Sequence, residues 1–152
     1  MSKVKNLTKE TFNPDDFTYV DLGLPSRRLW ATENAPGYYT YDEAKEVFGH
    51  SLPKAAALVE LWEECNWTWD DKRKGMTVTG PNGNSIFLPA SGYRNYASGG
   101  LYNVGGDGNY WSYASNSQAS ARYLDFNSGG VYPLSTAYRA YGFSVRPCRE
   151  FV

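Results

Sequence analysis

The sequence predicts a single α+β domain in which two helices pack on small twisted antiparallel sheets joined by long loops. Three observations support this prediction: two amphipathic helical segments, several short strand-like segments, and an aromatic content of 16%. The 152 residues, 41% of them hydrophobic, suit one domain that buries a sizeable core. We therefore expect a polar amino-terminal segment over residues 1–16 and one domain over residues 17–152.

Two segments carry the signals of helices. Thr40 and Glu43 have the spacing of a capping box, and Gly49 can end the helix that follows. A second helix is expected from about Pro53 to Cys65, where apolar residues recur at helical spacing. Its apolar stripe consists of Leu58, Leu61, Trp62 and Cys65.

The remaining elements are predicted as strands. Short β-prone runs occupy residues 17–22 and 29–32. Gly80-Pro-Asn-Gly83, between residues 76–79 and 85–88, predicts a hairpin because Asn-Gly tolerates the positive φ angles of tight turns. Further strands are expected over residues 110–113, 121–127, 130–132 and 142–146, with a long surface loop over residues 96–109.

Side-chain alternation predicts which residues form the core. Over residues 121–127, Leu124 and Phe126 share one face of the strand, and the intervening residues share the other. Trp30 and Trp111 lie in strand-like runs and are expected in the core. Trp67-Thr-Trp69 is interpreted as an anchor of the second helix against a sheet, with a stacking platform for a sugar or base as the alternative.

Charge and hydropathy exclude several classes of function. The formal net charge of -1 provides no electrostatic reason to bind nucleic acid or an anionic membrane. No apolar run approaches the ~20 residues of a membrane-spanning helix. The amino end has no apolar signal-peptide core. We therefore expect no nucleic-acid partner, no direct membrane insertion and no secretion signal in this chain.

The residues provide little support for catalysis or metal binding. His50, the single histidine, follows a helix-ending glycine and has no identifiable acidic or nucleophilic partner. No spacing matches a zinc site, a calcium-binding EF-hand, a phosphate-binding loop or a nucleophile elbow. We predict no catalytic residue, no metal ligand and no cofactor. Cys65 and Cys148 are interpreted as small buried side chains, with a disulfide as the alternative.

The carboxyl-terminal third has the most informative composition. Residues 112–146 contain no Lys, Glu, Met or Trp, while Tyr, Ser, Ala, Gly and Asn recur. Antibody contact loops use a similar set, because Tyr provides rigid contact area and small polar residues provide adaptable hydrogen bonds. A contact surface and a tyrosine-containing core fit the composition equally well. The aromatic residues that we expect in exposed turns are Tyr113, Tyr132, Tyr138, Tyr141 and Phe143.

Several motifs occur in an order that resembles a known family. They are Tyr19-Val-Asp-Leu-Gly-Leu-Pro-Ser26 with Leu29-Trp-Ala-Thr32, Thr79-Gly-Pro-Asn-Gly-Asn-Ser-Ile-Phe-Leu-Pro-Ala-Ser-Gly-Tyr-Arg94, Tyr110-Trp-Ser112 and Gly142-Phe-Ser-Val-Arg-Pro147. Over roughly residues 17–150 the chain resembles the C-type-lectin-like domains of gut bacteria and their phages. It is similar in particular to the variable proteins of diversity-generating retroelements. The resemblance implies a C-type-lectin-like fold, of the kind also seen in formylglycine-generating enzymes.

In that family, error-prone reverse transcription replaces adenines of a template repeat and rewrites chosen codons near the carboxyl end. An Asn codon can become Tyr, Phe, Ser, Thr, Ala, Leu, Gly or Asp, but never Lys, Glu, Gln, Met or Trp. Residues 112–146 fit this restriction apart from Gln118. The resemblance implies a hypervariable ligand-binding module whose variable region covers about residues 110–146. Its diversified positions, assigned by likeness, are Tyr113, Asn116, Asp125, Tyr132, Leu134, Ser135, Thr136, Ala137, Tyr138, Tyr141 and Phe143.

Such positions must be exposed, because a core substitution commonly costs about 2–5 kcal/mol of a total stability of about 5–15 kcal/mol. Leu124, Phe126 and Val145 are the expected buried counterparts. The resemblance implies an unknown protein or glycan ligand on a target cell. It also implies display on a phage or prophage tail or on a bacterial surface, and leaves the oligomeric state open.

Other functions of related folds are less well supported. A calcium-dependent lectin needs an oxygen-rich cluster such as Glu-Pro-Asn with a downstream Trp-Asn-Asp, and neither string occurs. A formylglycine-generating enzyme needs two closely spaced cysteines near the carboxyl end, where Cys148 stands alone. We therefore expect no enzymatic activity. A glycan-binding, lectin-like surface adhesin without retroelement diversification is the alternative function.

Overall fold

The computed structural model describes residues 5–150, which form a mixed α+β domain as predicted. Two α-helices and four small antiparallel sheets are present within these residues. Short 3-10 helices lie at Pro14–Asp16 and Gly49–Ser51. In chain order the elements are β1 (Tyr19–Asp21), β2 (Leu29–Ala31), α1 (Tyr41–Phe48), α2 (Ala55–Glu64), β3 (Asn66–Asp70), β4 (Gly75–Thr79), β5 (Ser85–Pro89), β6 (Tyr93–Arg94), β7 (Leu101–Tyr102), β8 (Gly108–Ser115), β9 (Ser120–Asn127), β10 (Gly130–Tyr138) and β11 (Cys148–Arg149).

The predicted capping box begins α1. The Glu43 amide donates to Thr40 Oγ1 at 3.2 Å, and the Thr40 amide donates to Glu43 Oε1 at 2.8 Å. The helix ends at Gly49, whose φ of 50° favours glycine. Within residues 5–150, neither helix has the length and apolar character needed to cross a membrane.

Helix α2 is shorter than predicted, and one residue of its expected apolar stripe faces solvent. Its buried face is formed by Ala57, Leu58 and Leu61. Trp62 is 44% exposed, so its placement in the buried stripe is wrong. The physical reason is helix geometry, because at 100° per residue Trp62 lies about a quarter turn from the centre of the buried face.

The four sheets have simple orders. One sheet has the order β1-β2-β11, so that strands from the two ends of the domain adjoin, and another has the order β3-β4-β5. The predicted hairpin joins β4 to β5, and its turn closes through a hydrogen bond from the Gly83 amide to the Gly80 carbonyl at 3.0 Å. Residues 142–146, predicted as a strand, form only isolated bridges at 142–144. The third sheet has the order β10-β9-β8. Strand β6 pairs with β7, which lies inside the predicted 96–109 loop.

The β8-β9-β10 sheet separates two hydrophobic clusters. Leu124 and Phe126 pack into the first cluster, which also contains α2, β4 and β5 residues, and this confirms the predicted alternation. Trp111 and Ala121 belong to the second cluster, together with α1 residues. Val145, the third expected core residue, is fully buried there. The sheet is therefore fixed from both sides, which makes it a rigid support.

Residues of the predicted amino-terminal segment contact the second hydrophobic cluster. The Phe12 ring lies 4.8 Å from the Phe48 ring, and Leu7 also packs on the second cluster. The Leu7 amide donates to Tyr39 Oη at 2.9 Å. Leu7 and Phe12 are apolar exceptions in a segment whose composition is otherwise largely polar. Residues 1–4 lie outside the described residues.

Trp30, Trp111 and Cys148 lie in the core as expected, whereas Cys65, Trp67 and Trp69 are half-buried. Trp30 and Trp111 are buried, and Trp67 Nε1 donates to the Leu61 carbonyl at 3.0 Å, which anchors α2 against the β3-β4-β5 sheet. Cys65 and Cys148 are free thiols. Burial raises the pKa of Cys65 to about 11 and that of Cys148 to about 12, so both thiols are protonated at neutral pH.

Candidate ligand-binding site

A cleft of about 440 Å³ lies beside β9 and the end of β10. Six of the residues assigned by likeness line it: Asp125, Thr136, Ala137, Tyr138, Tyr141 and Phe143. Six further residues, which sequence reasoning did not assign to the site, also line it: Tyr93, Asn103, Asp107, Asn109, Ser120 and Tyr123.

Strand alternation directs Tyr123 and Asp125 into the cleft. Because Leu124 and Phe126 are buried on one face of β9, the side chains between them project from the other face. Tyr123 packs against Phe143 with a ring-centroid distance of 4.6 Å. Burial raises the pKa of Tyr123 to about 12, so this phenol stays neutral at physiological pH.

The turn after β10 positions two tyrosines at the rim of the cleft. The Tyr141 amide donates to the Tyr138 carbonyl at 3.2 Å. Arg139 supports this turn, because its Nη2 donates to the Ser117 carbonyl at 2.8 Å and its Nη1 donates to Asp42 Oδ1 at 3.3 Å. The rings of Tyr138 and Tyr141 are stacked at 6.4 Å with an interplanar angle of 8°.

Tyr141 is the centre of an aromatic cluster that extends beyond the predicted variable region. Its ring centroid lies 5.6 Å from that of Tyr93 and 5.1 Å from that of Tyr96. Tyr102 stacks on Tyr93 at 5.9 Å. The sequence signal for Tyr96 and Tyr102 is the frequency of tyrosine in residues 96–109, which are predicted only as a surface loop. Tyr93 lies before this loop, in the motif that ends at Arg94.

The polar part of the cleft is formed by two carboxylates and two carboxamides. Asn103 Nδ2 donates to Asp107 Oδ2 at 2.8 Å, and Asn109 Nδ2 donates to Asp125 Oδ1 at 3.4 Å. Burial raises the pKa of Asp125, and the nearby Asp107 charge raises it further. Within residues 5–150, no three His, Cys, Asp or Glu side chains are grouped so as to hold a metal ion.

Five of the assigned residues lie outside this cleft. The exposed Tyr113 lies near α1, with the Lys45 ammonium 5.2 Å from its ring centroid. Asn116 lies at the β8–β9 turn, where its Nδ2 donates to Ser120 Oγ at 2.9 Å. The other three lie on β10 around the register shift between residues 132 and 135: Tyr132, which is 53% exposed, and the half-buried Leu134 and Ser135.

The expectation that Phe143 lies in an exposed turn is wrong. Its side chain is 2% exposed, and its backbone pairs with that of Tyr39 through hydrogen bonds of 2.8 and 2.9 Å. The Phe143 ring also lies 4.3 Å from the Trp111 ring. Phe143 therefore forms the inner wall of the cleft and belongs to the core. Tyr141 and Ala137 are half-buried, whereas Tyr138 is 55% exposed.

Exposed apolar residues extend the surface around the cleft. The loop between β6 and β8 exposes Tyr96, Leu101, Tyr102 and Val104. A second, open depression of about 650 Å³ adjoins the cleft and shares Tyr138 with it. Contiguous exposed apolar groups with a polar surround are typical of interaction sites.

Residues 59–148 match a family described as a domain of unknown function, DUF8237. The chain belongs to this family. No curated protein and no solved structure matches the chain significantly. The region of this DUF8237 protein that matches the family extends from within α2 to the start of β11, and it contains every residue that lines the cleft.

Proposed function

We propose that this DUF8237 protein is a hypervariable ligand-binding module that displays exchangeable residues on a C-type-lectin-like scaffold. The observation that carries the proposal is the convergence on one cleft of five residues that likeness assigns to the variable set and that are not buried in the core: Asp125, Thr136, Ala137, Tyr138 and Tyr141. Strand β10, which contributes Thr136, Ala137 and Tyr138 to the cleft, also carries further assigned residues such as Tyr132. The ligand is a protein or glycan on a target cell, and the module is displayed on a phage tail or a bacterial surface.

The arrangement of helices and sheets supports the part of the proposal that concerns a stable scaffold. Two helices and small antiparallel sheets surround a core, and a loop-rich segment connects β6 to β8. The β8-β9-β10 sheet carries eight of the eleven assigned residues, while others of its side chains enter the two hydrophobic clusters. Such a sheet holds its shape when outward side chains change, because its backbone pairing does not depend on them.

The solvent exposure of two assigned tyrosines supports the part of the proposal that concerns exchangeable residues. Tyr132 and Tyr138 are more than half exposed, so replacing either leaves little or no cavity. Surface substitutions of this kind usually change stability by less than about 0.5 kcal/mol. Exposed tyrosines also provide the large, rigid contact area that recognition surfaces use.

The DNA around the gene tests the proposed function directly. We expect a near-identical repeat of the segment that encodes residues 110–146, located close to a reverse transcriptase gene. The repeat and the gene should differ at template adenines in the codons of Tyr132 and Tyr138, and should agree at the codons of the buried Leu124 and Phe126. Because Phe143 is buried, its codon should also be unchanged.

Sequencing of the flanking DNA in the source genome provides this comparison. A locus with neither a repeat nor a reverse transcriptase would contradict the proposed function. Differences spread equally over codons of buried and exposed residues would also contradict it, since the proposal predicts adenine-directed change confined to codons of surface residues.

A further inference from the structure

The cleft combines carboxylates with aromatic rings and lacks a neutralising cation. Asp107 and Asp125 both line it, and none of the ion pairs formed by the described residues involves either of them. Among residues 5–150, no Lys, Arg or His lines the cleft. Its own charge is therefore negative when both carboxyl groups are ionised.

A buried acceptor adds an independent observation. Asn109 is 5% exposed and lines the cleft, with its Nδ2 directed to Asp125. Its Oδ1 has no hydrogen-bond partner within residues 5–150. Acceptors therefore outnumber donors at this point of the cleft. Because this oxygen is itself shielded from solvent, it does not contact a ligand directly, and its unpaired lone pairs add to the negative potential around Asp125.

The wall of the cleft is suited to a cation. The rings of Tyr138 and Tyr141 are stacked, and Tyr93 meets Tyr141 edge to face at 82°. Aromatic faces attract Lys and Arg side chains through the ring quadrupole. Carboxylates beside such rings provide charge-assisted hydrogen bonds to the same groups.

We propose that the cleft binds a cationic side chain, a Lys ammonium or an Arg guanidinium, that a protein ligand presents. This inference rests on the proposed function, because it names the chemistry of the ligand that the module recognises. Asp125 and Asp107 bind the charged group, and Tyr138 and Tyr141 cover its alkyl stem. The cleft volume of about 440 Å³ lies within the usual range of ligand pockets.

The ionisation of Asp125 sets an expected pH dependence. Its pKa in the free protein is raised, and a bound cation stabilises the carboxylate and lowers that pKa. Binding therefore weakens as the pH falls through the raised pKa, when Asp125 becomes protonated. The other titratable groups that line the cleft are Asp107, Tyr93, Tyr123, Tyr138 and Tyr141. Burial raises the pKa values of Tyr123 and Tyr141, so neither ionises in this range.

The test uses the full chain and two matched probes. N-acetyl-lysine methylamide is titrated while backbone amide resonances are followed by NMR, and N-acetyl-norleucine methylamide serves as the uncharged control. We expect saturable shifts at cleft residues with the lysine probe only. Asp125→Asn should weaken this binding at least about tenfold, and lowering the pH from about 7 towards 4 should weaken it in the wild type.

Asp16→Asn is the control variant, because this exposed carboxylate lies away from the cleft. It should bind the lysine probe like the wild type. Asp107→Asn provides the same test as Asp125→Asn if the latter variant fails to fold. Unchanged binding by the folded cleft variants, equal binding of the norleucine probe, or binding of neutral monosaccharides in place of the lysine probe would overturn this inference.

Failure of this inference is distinguishable from failure of the proposed function. A diversified repeat beside the gene with no lysine binding would refute the cationic ligand alone. An absent repeat would refute the proposed function even if the lysine probe binds.

Discussion

Arg146→Met is expected to lower the free energy of unfolding by about 3 kcal/mol or more. The guanidinium is buried at 2% exposure and donates to three acceptors. Nε donates to Asn34 Oδ1 at 2.8 Å, Nη1 to the Ala31 carbonyl at 3.0 Å, and Nη2 to the Phe87 carbonyl. Methionine fills similar space but leaves these acceptors without donors, each at a cost of about 1–3 kcal/mol.

Denaturant titration of wild type, Arg146→Met and Arg122→Met measures this effect. Arg122 is the control, because it makes one longer hydrogen bond, from Nη1 to the Leu134 carbonyl at 3.4 Å. We expect a much smaller loss for Arg122→Met. If both variants lost the same stability, Arg146 would not be the buried link between β2 and β5 that the structure shows.

Phe143→Ala is expected to cost about 3–5 kcal/mol, the range for a fully buried aromatic side chain. The Phe143 ring contacts Trp111 and Tyr123, and its removal leaves a cavity beneath the cleft. Tyr138→Ala is the matched comparison in the same cleft, and we expect it to cost less than about 1 kcal/mol because Tyr138 is 55% exposed.

The free energies of unfolding of both variants, measured by thermal and denaturant unfolding, show which of the two residues supports the fold. A large loss for Tyr138→Ala would show that the rim tyrosines support the fold. A negligible loss for Phe143→Ala would mean that position 143 tolerates diversification after all, contrary to its burial.

Local signals predicted much of the fold. The Thr40–Glu43 capping box and the Gly80–Gly83 hairpin turn depend on neighbouring residues, and both are present in the structure. The burial of Leu124 and Phe126 followed from strand periodicity. Such features are readable from sequence because their partners lie within a few residues.

Long-range contacts were not predictable in the same way. Phe143 lies in a segment whose composition is typical of a contact surface, but its backbone pairing with Tyr39 places it in the core. Asp107 and Asn109 line the cleft because β8 and the loop before it lie beside β9. The Asn109–Asp125 hydrogen bond joins residues that are 16 positions apart in the sequence. Polar pairs of this kind have no periodic signature.

We propose centrally that exposed residues of the β8-β9-β10 region can be replaced without unfolding the domain that carries them. Two displayed libraries of equal size test it, each with five positions randomised to Tyr, Phe, Ser, Thr, Ala, Gly, Asp and Asn. The exposed library varies Tyr113, Asn116, Tyr132, Thr136 and Tyr138, and the control library varies the buried Tyr39, Tyr41, Asn109, Tyr110 and Ser144.

The fraction of each library that resists proteolysis is the decisive measurement, since cleavage follows the population of unfolded chains. We expect most members of the exposed library to remain protease-resistant and few members of the buried library to do so. Equal loss of resistance in the two libraries would contradict this proposal.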